Sequence, residues 1–283
     1  MRALVLGGRG MLGQDLCRAL SARGHEAIPQ GSREVDIRVS GSVADAIRNH
    51  RADLVINCAG YTAVDRAEEE EEEAFSVNAR GAGLAAAGAS GAEIPFIHIS
   101  TDYVFDGRKE GGYLEDDPVH PLSVYGRSKA EGEQRVREAH SGACVVRTQW
   151  LYGHAGANFV ETMLRLGSER DRISVVDDQF GSPTWTFDLA AALVVLAESG
   201  AQGTYHLTNS EVVSWYDFAK KIFEIEGMEL AVEPVPTTSF PRPASRPLRG
   251  VLRNHVWQAD GHTPLRSWTE ALSAYLQERR ERT

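Results

Sequence analysis

Through the first half of the chain, short β-branched runs alternate with longer stretches in which apolar residues recur every three or four positions. The runs predict strands near Ala3 to Leu6, Glu26 to Pro29, Leu54 to Asn57, Phe96 to Ile99 and Cys144 to Arg147. The longer stretches predict helices near Met11 to Arg23, Val43 to Asn49, Ala67 to Ala89 and Tyr125 to His140. Such alternation implies an α/β fold with a parallel sheet. Right-handed crossovers wind it into a doubly wound, Rossmann-type sheet whose ligand crevice lies at the carboxyl ends of the strands. Beyond about residue 150 the regularity fades into a mixture of Trp, Pro and long connections, including Pro234 to Pro247. Residues 1–150 are therefore expected to form the nucleotide-binding domain. Residues 151–283 are expected to form mainly a smaller substrate-binding lobe, with room for the chain to cross back to the main sheet.

Composition narrows the picture. The 283 residues are ordinary for a globular protein, and a formal net charge of -10 argues against nucleic acid as a partner, because a phosphate backbone would be repelled. Cys17, Cys58 and Cys144 are widely spaced in apolar stretches and read as reduced core residues. The N-terminus enters a strand without the signature of a signal peptide, and no run of about 18 apolar residues follows, so a cytoplasmic protein without a membrane span is expected. The six acids Glu68 to Glu73 read as the solvated start of a helix.

Two motifs carry chemistry. Gly7, Gly10 and Gly13 lie between the first strand and the first helix, with Met11 and Leu12 inside the same turn. There a glycine turn and free helix N–H groups suit a dinucleotide pyrophosphate. The second strand ends at Gln30 with no acid to grip a ribose 2′-hydroxyl, whereas Arg33 follows and suits a 2′-phosphate. This points to NADPH, with NADH as the alternative. Farther along, Tyr125-Gly126-Arg127-Ser128-Lys129 stacks a phenol and an ammonium one helical turn apart, downstream of a strand that ends in Ser100-Thr101-Asp102. A phenol beside an ammonium is suited to proton transfer.

Taken together, the glycine loop, Asn57-Cys58-Ala59-Gly60, Ser100 to Phe105 and Tyr125-x-x-x-Lys129 resemble the extended short-chain dehydrogenase/reductase superfamily. Tyr61 to Glu68, Ser100 to Gly107, Arg147 to Tyr152, Asn158-Phe159-Val160, Asp177 to Thr184 and Ala244 to Pro247 are similar to strings of the dTDP-4-dehydrorhamnose reductases. The resemblance implies reduction of the C4 ketone of dTDP-4-dehydro-L-rhamnose by a nicotinamide cofactor. It makes Tyr125 the general acid, with Lys129 lowering its pKa and holding the nicotinamide ribose, and Thr101 a second hydrogen bond to the ketone oxygen. It also places Gly60, Tyr61 and Thr62 along the cofactor and Asp36 and Ile37 near its adenine. Asp102, Tyr103, Trp150, Asn158, Gln179 and Arg246 become substrate contacts, the aromatic rings for the sugar and the arginine for the pyrophosphate. His98, His120 and His206 have no partner at metal-ligand spacing.

Departures from the family pattern matter as well. Some members hold magnesium at a dimer interface through three acidic side chains. Asp15 and Glu278 could fill two of those places, but Phe187 occupies the third, which leaves the magnesium site in doubt and a monomer or a homodimer equally open. The usual Arg-Pro-x-Asn-Ser string reads Arg246-Pro247-Leu248-Arg249-Gly250. Two rival readings share these motifs. A sugar-nucleotide dehydratase or epimerase has the same loop and pair, but a 4,6-dehydratase usually carries Asp-Glu after the threonine, where this chain has Asp102-Tyr103. A non-catalytic regulatory homologue would have no need of Thr101, Tyr125 and Lys129 together.

Overall fold

A computed structural model describes residues 1–282. The strands β1 (Arg2–Leu6), β2 (Glu26–Gln30), β3 (Leu54–Asn57), β4 (Phe96–Thr101) and β5 (Cys144–Thr148) are all parallel and stand in the order β5-β4-β3-β1-β2. Between them run α1 (Met11–Ala22), α2 (Ser42–His50), α3 (Val64–Ala67), α4 (Glu71–Phe75), α5 (Ala82–Gly91) and α6 (Val124–Ala139). The order reverses beside β1, so the carboxyl ends of β1 and β3 open a crevice where the glycine loop lies.

The second half continues with β6 (Leu151–Tyr152), α7 (Phe159–Glu169), β7 (Arg172–Val176), β8 (Phe180–Gly181), β9 (Thr184–Trp185), α8 (Thr186–Ser199) and β10 (Gly203–His206). After these come β11 (Val213–Ser214), α9 (Trp215–Glu226), β12 (Ala231–Val235), α10 (His255–Ala259) and α11 (Trp268–Arg282). β10 adds to the main sheet beside β5, with Tyr205 opposite Val146, and α8 buries Leu189, Leu193 and Leu196 against α1. One face of the sheet is thus covered by α1 and α8 and the other by α2, α5 and α6. A separate apolar core, built on Phe218, Ile222 and Tyr275, joins α7, α9 and α11 to the parallel pair β7 and β12.

The expected single helix from 67 to 89 is broken. Glu70 leaves helical geometry at φ -112°, and Ser76–Gly81 widens into a π-turn before α5 begins. That bulge turns Asn78 inward, where its amide holds both the N–H and the carbonyl of Tyr61 and donates to Ser128 Oγ at 3.0 Å. The run of acids is likewise engaged rather than simply solvated. Glu68 accepts the Val124 N–H at the start of α6, Glu70 accepts the Tyr61 hydroxyl, and Glu72 and Glu73 pair with Arg80 and Arg38. Glu71, Glu72 and Glu73 are exposed in the first turn of α4, whereas the partly buried Glu68 and Glu70 lie where a helix start and a loop need an acceptor, which a charge run alone does not reveal.

Candidate active site

The cofactor end is built by backbone. Gly7 sits at φ +70°, where a side chain is strained, and a Cβ there would stand 2.7 Å from the Ala59 nitrogen. A Cβ on Gly13 would lie 2.3 Å from the Gly7 carbonyl oxygen, so the turn closes only without side chains. Gly10 precedes α1 without capping it, which leaves the first helix N–H groups facing outward. These features fit a dinucleotide pyrophosphate. They open on a cavity of about 680 Å³ whose walls include Gly7, Gly10, Arg33, Asp36, Ile37, Gly60 and Tyr61. Met11, Leu12, Gly13 and Thr62 are not among its walls: the Leu12 side chain is buried in the core and Thr62 is exposed. Asp36 is held by Arg38, whose guanidinium keeps that carboxyl below its usual range.

The chemistry lies at the ends of β4 and β3. Thr101 closes β4, and its hydroxyl donates to Asp102 Oδ1 at 3.0 Å and bonds toward the Tyr125 phenol. Tyr125 opens α6, whose N-cap Ser123 accepts the Gly126 N–H at 3.1 Å. Burial pushes the Tyr125 phenol up to about 12, and the Thr101 hydrogen bond opposes the rise. One turn on, Lys129 is buried and drawn down to about 8 by that burial. Its ammonium donates to the Ile99 carbonyl at 2.6 Å and meets His98 Nε2 at 3.4 Å. The Lys129 ammonium is thus directed at that carbonyl and at His98, one turn from the Tyr125 phenol. His98 in turn contacts Asn57 Nδ2 at 3.1 Å, so β3, β4 and α6 are tied beneath the site. This role of His98 is not readable from the sequence, because both its partners come from other elements.

A second cavity, of about 1060 Å³, has Asp102, Tyr103, Trp150, Gln179 and Arg246 in its wall. Tyr103 packs edge-on against Tyr125 with centroids 5.3 Å apart. Trp150 is held at φ +49° and stacks on Trp215 at 3.5 Å, which makes Trp215 an aromatic neighbour that no motif announced. Gln179 donates to Thr237 at 3.0 Å. Arg246 gives both arms of its fork to Asp65, each at 3.0 Å. Asn158 does not line this cavity: its Oδ1 caps α7 by accepting the Glu161 N–H and its Nδ2 donates to the Gly153 carbonyl.

A dinucleotide turn, a buried threonine, tyrosine and lysine, and an apolar cavity that bears an arginine together are the construction of a short-chain dehydrogenase/reductase. The sequence is more specific still. A family model described as the RmlD substrate binding domain matches residues 1–281, and the chain belongs to that family. It is 41% identical over 278 residues to the spore coat polysaccharide biosynthesis protein SpsK of Bacillus subtilis, covering 98% of each chain. With the dTDP-4-keto-6-deoxy-D-glucose reductase of Streptomyces niveus it shares 40% identity over 274 residues, 96% of this chain and 95% of that one. Among solved structures, a dTDP-4-dehydrorhamnose reductase of Bacillus anthracis in complex with NADP superposes with a TM-score of 0.95 at 39% identity, covering 98% of this chain and 99% of the other.

Proposed function

We propose that the protein is an NADPH-dependent reductase of the C4 ketone of dTDP-4-dehydro-L-rhamnose, yielding dTDP-L-rhamnose. The observation that carries this reading is that Tyr125 shares one apolar cluster with Tyr103, in the wall of the larger cavity, and with Tyr61, in the wall of the smaller, which suits a carbonyl that meets a hydride from one side and a proton from the other. A bound nicotinamide supplies the hydride. Tyr125, protonated at neutral pH, gives its proton to the ketone oxygen, and Thr101 adds a hydrogen bond as charge develops there. Lys129 holds the cofactor ribose beside them. In this reading residues 1–150 hold most of the cofactor and 151–283 most of the dTDP-sugar, in a cytoplasmic enzyme working as monomer or homodimer.

One observation favours a second reading. Arg249 and Gly250 stand where the family string has asparagine and serine, so an amide and a hydroxyl are missing just beyond Arg246 and Pro247 of the cavity wall, and a different dTDP-4-keto-6-deoxysugar would then be the substrate. The test mixes the purified protein with NADPH, then NADH, and dTDP-4-dehydro-L-rhamnose, following absorbance at 340 nm and identifying the product sugar by NMR. Substrate-dependent oxidation giving dTDP-L-rhamnose is expected. Oxidation only with another 4-keto sugar nucleotide would transfer the assignment to that sugar.

A further inference from the structure

Four residues other than glycine adopt a positive φ among the described residues, and three of them, Arg51, Glu93 and Glu211, are exposed. The fourth is Trp150, at φ +49° and half-buried in the wall of the larger cavity. A bulky residue in that backbone region is strained and stays there only where its surroundings hold it. Three features do so. The Trp150 carbonyl accepts the Thr184 N–H at 3.2 Å, next to the pairing of β6 with β9. The indole lies on that of Trp215 with the rings 11° from parallel. Position 181 leaves it room, since a Cβ on Gly181 would stand 2.7 Å from Trp150 Cε2 and 2.9 Å from Cζ2.

Gly181 and Trp215 reach the indole from one small element. β8 and β11 pair antiparallel with Gly181 opposite Val213, and Trp215 follows directly after β11. Ser214 fixes that start of α9, because its Oγ accepts the Asp217 N–H at 3.1 Å and donates to Asp177 Oδ1 at 2.7 Å. Phe159 of α7 packs on Trp215 with centroids 4.4 Å apart. We infer that Gly181 and Trp215 are positioning residues for the sugar: they act through Trp150, holding its indole in the wall that it shares with Asp102 and Tyr103. When either support is lost the strained backbone relaxes, and the indole leaves the place from which it covers the apolar face of a deoxysugar.

This inference rests on the sugar-nucleotide reading of the larger cavity, so one of its two measurements is made without sugar. Stacked indoles couple their transitions, and far-ultraviolet circular dichroism of the wild-type protein is expected to show an exciton couplet. Trp215→Leu should abolish it. Gly181→Ala should weaken it, because the backbone there is outside the left-handed region and the new methyl is met first by that indole and by Gln149. The second measurement uses whichever 4-keto sugar nucleotide the wild-type protein reduces. Both variants are expected to lose about tenfold in kcat/KM, the size of one aromatic contact, with the dissociation constant of NADPH unchanged. Trp215→Phe still offers a ring and should recover most of that loss. If Trp215→Leu does not fold, Gly181→Ala, which keeps both indoles, decides. Wild-type kcat/KM in Gly181→Ala, a loss that follows Tm across the three variants, or no couplet in the wild type would overturn the inference alone. Reduction of no 4-keto sugar nucleotide by the wild type would overturn the sugar reading and this inference with it.

Discussion

Thr101 gives its one hydroxyl proton to Asp102 across 3.0 Å, so the group placed to meet a ketone oxygen is engaged whenever Asp102 is ionised. The carboxyl is 2% exposed and its second oxygen has no hydrogen-bond partner among the described residues. That oxygen is seated against Gly250, where a Cβ would stand only 2.4 Å away. Burial lifts the Asp102 carboxyl to about 7. Once neutral, it can donate to Thr101 and leave the threonine proton for the ketone oxygen.

A pH dependence follows from that exchange. Turnover is expected to fall as pH rises through about 7, and Asp102→Asn, which cannot ionise, should flatten that limb. The stability effect has a definite sign. The folded pKa exceeds the unfolded one, so the contribution of Asp102 is complete below about pH 4 and is lost as pH rises through about 7. Thermal melts of the two proteins should therefore separate in favour of the asparagine variant, by a few kcal/mol at pH 8 and by little at pH 4. A constant gap across that range would mean that the carboxyl is not titrating there.

Arg246, the residue expected at the pyrophosphate, gives both its arms to Asp65, and Arg242 lies 3.7 Å from the same carboxylate. Asp65 belongs to α3, beside the cofactor cavity, so the pair pins the segment at 242–246 to the nucleotide-binding side. Asp65→Ala should raise KM for the dTDP-sugar about tenfold, the size of a lost charge-assisted pair, with dinucleotide affinity unchanged. A KM equal to wild type would show that the sugar cavity forms without this tie.

Beneath the site, Glu133 and Arg147 are a buried ion pair, with Arg147 Nη2 2.7 Å from Oε2 and Ser100 Oγ 2.6 Å from Oε1. Burial would raise the Glu133 carboxyl, but the bonds from Arg147 and the nearby Arg137 overcome it and hold it at about 2. A depressed carboxyl contributes stability above its unfolded pKa of about 4.5 and loses it as pH falls toward 2, here about 3 kcal/mol. Arg147→Met leaves the buried acid only the half-exposed Arg137 and the Ser100 hydroxyl, and should cost about 3 kcal/mol in urea unfolding at pH 7. At pH 3 the difference between the two proteins should shrink.

The first five strands were legible because each is a short apolar run bounded by turn residues, and α1 and α6 because their apolar positions recur at helical spacing. The stretch from 64 to 91 was not. Its residues are largely Glu, Ala and Gly, which present no apolar stripe, and a π-turn is invisible to periodicity. Within the site, Tyr125 and Lys129 were readable from spacing on one helix, and Thr101 from its place at a strand end. Asn78, His98 and Trp215 were not, because each acts through partners brought from separate elements by the fold. The same limit applies to Asn158: the sequence supplied an amide, but only the structure shows it spent on a helix cap.

Tyr125 and Lys129 share one helix face but should fail differently when removed. The phenol hydroxyl faces Thr101, and the ring packs edge-on against Tyr103 in the apolar cluster of Ala67, Ala74 and Val124. Tyr125→Phe keeps the ring and should lose turnover by about 10²-fold or more while binding NADPH as tightly as wild type. The Lys129 ammonium bridges the Ile99 carbonyl and His98, and in the proposed reaction it also carries the cofactor ribose. Lys129→Met should therefore lower turnover and dinucleotide affinity together. Calorimetry with NADPH beside steady-state rates separates the two cases: equal binding by both variants would remove Lys129 from the cofactor site, and wild-type turnover in Tyr125→Phe would remove the phenol from the proton transfer.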